Sequence, residues 1–158
     1  TGSGRAGRAV LHASAEALRP TSLELGGKGA MVVFEDADLD AVVDWAMVGI
    51  FVNAGQVCSA TSRLVVAEVI AGEVLERLQA AAEAIAVSDP CLGSTQMGPL
   101  VSAPQRDRVL ARVDEARSQG AVLITGGGRV SVPGLEAGFF MAPTVLSDVD
   151  TASPLWRE

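Results

Sequence analysis

The chain has 158 residues, 49% of them hydrophobic and 20% charged, enough apolar material for one domain with its own core. With 12 Lys and Arg against 19 Asp and Glu, the net charge of −7 argues against nucleic acid as a partner, because phosphate binding needs clustered cations. No run of about 18 apolar residues marks a membrane span, no charged-then-apolar start marks a signal peptide, and two cysteines with one histidine suggest neither a disulfide framework nor a structural zinc site.

Residues 4–19 mix small, apolar and charged side chains at roughly helical spacing, with Ser3 as N-cap and Pro20 as the stop. Residues 21–25 predict a short strand, closed by the breaker Gly26-Gly27. Residues 30–34 (AMVVF) are short, apolar and β-branched, the pattern of a buried strand. Asp36 and Asp38 offer the negative charge a helix N-terminus favours. A helix is expected over 39–52, with Val42, Val43, Trp45, Ala46, Val48 and Gly49 in its apolar part. Asn53-Ala54-Gly55-Gln56 breaks it, and Cys58 stands in the loop beyond. Residues 63–67 (RLVVA) predict a second buried strand, and 71–86 an amphipathic helix. A loop with Pro90, Gly93, Gly98 and Pro99 spans 88–100. Ser102 and Gln105 form a capping-box pattern, with Pro104 in the first turn of a helix that reaches Gln119 and ends at Gly120. Residues 121–125 predict a strand, 126–138 a glycine-rich surface segment, and 139–148 extended chain interrupted by Pro143. Strands alternating with helices of this length imply an α/β domain, a mostly parallel sheet flanked by helices.

Two residues stand out chemically. Cys58 lies in a Gly-containing loop just after an apolar helix, where a scaffold can present a nucleophile. A free cysteine is more often a small buried hydrophobe, and one cysteine alone decides nothing. Glu24 is a carboxylate between two leucines at an expected strand end. Burial there raises a carboxyl pKa and suits a general base; the plainer reading is an edge-strand Glu facing water. His12 falls on the first helix as a structural or surface residue, and Cys91 lies in a loop.

Taken together, Ser22-Leu23-Glu24-Leu25-Gly26-Gly27-Lys28, a strand–helix unit, and then Asn53-Ala54-Gly55-Gln56-Val57-Cys58-Ser59-Ala60-Thr61-Ser62-Arg63 resemble the aldehyde dehydrogenase superfamily, with Glu and Cys at that family's separation. Further ordered matches are Thr1-Gly2-Ser3, Ser88-Asp89-Pro90, Met97-Gly98-Pro99-Leu100-Val101-Ser102, and Gly138-Phe139-Phe140-Met141-Ala142-Pro143-Thr144-Val145-Leu146. The resemblance implies a Cys58 thiolate that attacks an aldehyde carbon and a Glu24 that activates the water hydrolysing the resulting thioester. It implies NAD or NADP as cofactor, with Gly2 and Ser3 at the pyrophosphate and Leu25 and Gly26 bordering the nicotinamide. It implies no metal, a small aldehyde as substrate, an intracellular (cytoplasmic or organellar) enzyme, and a homo-oligomeric parent. Residues 1–25 then correspond to the tail of a coenzyme-binding domain, and 26–158 to an incomplete catalytic domain. The family's second oxyanion donor, an asparagine, and the glutamate that holds the nicotinamide ribose fall outside these residues. The 158 residues alone are therefore expected to be inactive and poorly soluble.

Within the family, Gln56-Val57-Cys58-Ser59-Ala60-Thr61-Ser62-Arg63, Val42-Val43-Asp44-Trp45 and Leu155-Trp156-Arg157-Glu158 lean toward the betaine-aldehyde and aminoaldehyde branch. Such enzymes hold cationic substrates with aromatic rings. Here Val52 precedes Asn53, where that branch often has an aromatic residue, and Phe51 is the nearest ring. Two alternatives stay open. One is a non-catalytic remnant that acts through binding. The other is a CoA-acylating or esterase-type relative, against which Glu24 argues, since water activation is the reason for that base.

Overall fold

The structure, a computed structural model, describes residues 1–157. Helix α1 covers Gly4–Glu16, and Ser3 caps it as expected, its Oγ accepting the Ala6 N–H at 3.2 Å. The helix stops at Glu16 rather than Arg19, and Leu18 turns into the left-handed region (φ +52). Pro20 accounts for this. Its ring would meet the carbonyl four residues back, that of Glu16, and it disfavours helical backbone at Arg19. The expected strand over 21–25 is absent among the described residues. What remains is a single parallel bridge between Gly2 and Leu25, because α1 begins at Gly4 and leaves Leu25 nothing longer to pair with.

Strand β1 (Ala30–Val33) pairs in parallel with β2 (Arg63–Val66), Ala30 opposite Arg63 and Val33 opposite Val66. Between them runs α2 (Leu39–Phe51), capped by Asp38, whose Oδ1 accepts the N–H groups of Asp40 at 3.0 Å and Ala41 at 3.3 Å. Helix α3 (Glu68–Glu83) begins earlier than residue 71. Its N-cap, Ala67, carries no capping side chain, so the sequence held no start signal there. Val33, Val42, Ala46, Val74 and Leu78 form the core of this half, filled out by Met31, Leu39, Met47, Leu64 and Ile70. Arg77 on α3 ties the helices at the surface, reaching Asp40 on α2 and Glu73 on its own helix.

Neither strand is buried on both faces as expected. Side chains alternate along a strand, and only the face toward α2 and α3 is covered. Val33 is 4% exposed, while Val32 is 57% and the following Phe34 69% exposed. Trp45 and Val48 on α2 also face solvent.

In the second half, Ser102 caps α4 (Ala103–Ser118), accepting the Gln105 N–H, and Gly120 (φ +104) follows its end, both as expected. Strands β3 (Val122–Thr125) and β4 (Val145–Ser147) pair antiparallel as a second two-stranded sheet, separate from the parallel β1–β2 pair, where one mostly parallel sheet was expected. A Cβ on Gly126 (φ +81) would strike the Pro143 carbonyl, which makes glycine necessary at that crossing. Met97, Leu100, Val113, Ala116, Val132, Phe140 and Met141 are buried in this half. The short helix α5 (Pro154–Arg157) packs beside α4, and α3 touches β3 and β4.

Candidate active site

Three stretches meet at one end of the β1–β2 pair: the start of α1, residues 24–29, and residues 53–63. The Gly2–Leu25 bridge, with the Gly2 N–H on the Glu24 carbonyl at 3.0 Å, sets the N-terminus of α1 beside Leu25 and Gly26. Gly7 allows this approach, since a Cβ there would come within 3.0 Å of Leu25 Cδ1. Gly2, Ser3 and Leu25 are thus brought together, with Gly26 next in the chain.

Residues 27–29 then run alongside 58–60. A Cβ on Gly27 would lie 3.5 Å from the Cys58 carbonyl, and one on Gly29 3.1 Å from the Ala60 carbonyl. The Arg63 N–H donates to the Gly29 carbonyl at 3.2 Å and its Nε–H to the Lys28 carbonyl at 2.9 Å. The parallel pair thus leads back into a close approach of residues 27–29 to the Cys58 turn, with Glu24 three residues before Gly27 in the chain.

Cys58 sits in a turn closed by the Ala60 N–H on the Val57 carbonyl at 3.1 Å, and its thiol is exposed. Among the described residues the Cys58 N–H meets no protein acceptor, so it is free to donate to an oxyanion. Glu24 is exposed too. The burial expected for it is not present, because the strand that was to enclose it does not form. His12 and Cys91 are also exposed, and neither lies in these three stretches.

A separate cleft of about 370 Å³ opens between the two halves, lined among others by Lys28, Phe51, Thr61, Arg63, Met141 and Trp156. Neither Cys58 nor Glu24 lines it, so it is the inner face of the loop rather than the place of the thiol. Arg63 stacks on Trp156 at 5.4 Å. Burial first, and the charge of Arg63 second, hold the Lys28 ammonium below its usual value.

Sequence reasoning passed over two features of this loop. Thr61 donates its N–H to the Gly49 carbonyl at 2.9 Å and packs where a Gly49 side chain would be, pinning the loop's exit to α2. Gln56 bonds to Val101, 45 residues away. A polar residue beside the cysteine was visible in the sequence, but its distant partner was not.

The aldehyde dehydrogenase family model matches residues 1–158. The chain belongs to the aldehyde dehydrogenase family. It is 46% identical over 158 residues to aminoaldehyde dehydrogenase 1, peroxisomal, of Pisum sativum, and 43% identical to betaine aldehyde dehydrogenase, chloroplastic, of Beta vulgaris. In both cases all of this chain is covered and 31% of the relative, so it spans about a third of their length. A solved betaine aldehyde dehydrogenase from Staphylococcus aureus in complex with NAD+ superposes with a TM-score of 0.95 at 33% identity, over 99% of this chain and 31% of that one. The aldehyde dehydrogenase resemblance and the α/β fold expected from the motifs are borne out.

Proposed function

We propose that this chain carries the nucleophile and general base of an NAD-dependent aldehyde dehydrogenase acting on betaine aldehyde or an aminoaldehyde. The observation that carries the reading is the exposed Cys58 with a free N–H, in a turn against which Gly27, three residues after Glu24, closely packs. Residues 1–25 are the tail of its coenzyme domain and 26–158 part of its catalytic domain. The organellar names of the relatives support an intracellular enzyme.

The cofactor fits the residues present. The first turn of α1 holds no acidic side chain, and a Cβ at Gly4 would meet open space, so the helix start can receive a pyrophosphate on its free N–H groups. Gly2 and Ser3 would hold it, with Leu25 and Gly26 beside the nicotinamide. When bound, the dinucleotide supplies the acceptor for the two electrons and hydrogen lost by the substrate carbon. Cys58 Sγ, as thiolate, forms the bond to the aldehyde carbon, and the carbonyl oxygen becomes an oxyanion facing the Cys58 N–H. Oxidation of that adduct leaves a thioester on Cys58. Glu24 takes a proton from water, whose oxygen then bonds to the acyl carbon as the C–S bond breaks, releasing a carboxylic acid and the thiolate.

In the full natural chain that carries these residues, Cys58→Ser is expected to abolish betaine-aldehyde oxidation. Glu24→Gln should lower kcat by about a hundred-fold or more while leaving a first-turnover burst of reduced cofactor, since the first oxidation does not need the base. Absence of the burst in Glu24→Gln would move the base to another residue, and activity retained in Cys58→Ser would end the reading.

A further inference from the structure

Residues 53, 54 and 55 take three successive left-handed conformations, with φ of +53, +53 and +75. Glycine adopts this freely and asparagine tolerates it, but an alanine side chain at position 54 crowds the following carbonyl. Something must hold the turn, and Gln56 ties it at several points. The Gln56 Nε2–H and backbone N–H both donate to the Asn53 carbonyl, at 3.0 and 3.1 Å. Asn53 Nδ2–H answers on the Gln56 carbonyl at 3.1 Å. The remaining atom of the amide, Gln56 Oε1, accepts the Val101 N–H at 2.8 Å.

The far end of that bond is fixed. Leu100 is buried and donates its N–H to the Phe139 carbonyl at 3.0 Å, and Ser102 caps α4. The loop's other end is fixed by the Thr61 N–H on Gly49. Cys58 stands between these two anchors. Gln56 fills no core position, and Asn53 and Val101, which it joins, are exposed. Water can satisfy both groups if Gln56 is lost, so folding gains little from the clamp. What the clamp supplies is location.

We infer that Gln56 is a positioning residue for Cys58: its amide fastens the left-handed turn to the Val101 backbone and so fixes where the thiol two residues later stands. The inference rests on the proposed role of Cys58 as nucleophile. A displaced thiol leaves substrate binding as it was but reacts with bound substrate less often, so kcat falls and KM does not.

The test uses the full natural chain. In Gln56→Met, which keeps the length and loses both bonds, kcat for betaine aldehyde should fall by about ten- to a hundred-fold. KM for aldehyde and for NAD+ should stay within about two-fold, and the melting temperature near that of the parent. Gln56→Glu keeps an acceptor for the Val101 N–H and should recover most of the rate. Gln56→Asn, one methylene short of Val101, should behave as Gln56→Met and replaces it if that variant does not fold. Three results would overturn the inference: a kcat unchanged in Gln56→Met, a Gln56→Glu no better than Gln56→Met, or a loss that follows the melting temperature in both shortened and apolar variants. Cys58→Ser, assayed beside them, separates the two levels. If it is inactive while Gln56→Met is normal, only the positioning role fails; if Cys58→Ser is active, the nucleophile assignment fails instead.

Discussion

At the scale of single residues, Lys28 offers a prediction that does not depend on turnover. It is the chain's one lysine, and it is half-buried beside Arg63. Burial, then the neighbouring positive charge, lower its pKa from the usual 10.5. The folded protein thus binds this proton less tightly than the unfolded chain does. The group's unfavourable contribution is complete at neutral pH and is relieved as pH rises through the lowered folded value toward 10.5. Half exposure lets solvent screen the effect, so a labelling rate reports it better than a stability curve. Acylation of Lys28 by an amine-selective reagent, followed by peptide mass, should reach half its maximal rate below pH 10.5. Arg63→Gln should move that midpoint upward. A midpoint at or above the ordinary value would show that burial is not felt at the ammonium. The motifs around Cys58 and Glu24 were legible from their spacing, and with them the family. The exposure of Glu24 was not, because burial is a property of neighbouring strands rather than of the flanking leucines.

At the scale of elements, α2 and the loop after it test how the site is held. Gly49 lies in mid-helix, where alanine is ordinarily better by about 1 kcal/mol. Here the added Cβ would collide with Thr61 Oγ1, whose backbone pins the loop to that same residue. Gly49→Ala is therefore expected to destabilise rather than stabilise, and to slow alkylation of Cys58 by iodoacetamide. A higher melting temperature with normal labelling would mean the loop moves aside at no loss. Leu78 on α3 is buried on its core side but also borders the cleft. Truncation to alanine there should cost toward the lower end of the usual range, about 2 kcal/mol by urea denaturation, because one side already has room. Helices α2 and α4 were legible because Asp38 and Ser102 announce their starts. The start of α3 was not, since Ala67 gives no such signal, and the end of α1 needed the effect of Pro20 on Glu16 and Arg19 to be weighed against helical spacing.

At the scale of the molecule, the uncovered face of β1–β2 dominates. Val32, Phe34 and Val65 on that face are all more than a third exposed, and Trp45 and Val48 add a second exposed apolar area on the outer side of α2, more than a lone domain usually leaves in water. The pair also has open edges. The 158 residues expressed alone should self-associate and bind a hydrophobic dye, as judged by light scattering and dye fluorescence, and should show no NAD-dependent aldehyde oxidation. A clean monomer with no dye binding would mean that this face is tolerated as it stands.

The sequence by itself determined the family and the α/β class, because these lie in local spacing, caps and β-branched runs that any chain of this order must fold in much the same way. Tertiary structure decided the rest. Only the fold runs residues 27–29 against the Cys58 turn, only the one-sided cover of β1–β2 leaves Val32 and Phe34 exposed, and only the fold places Val101 under the Gln56 amide. Each of these is a contact between residues far apart in the chain. The free energy of such contacts depends on which surfaces meet, and that is written in no single stretch of residues.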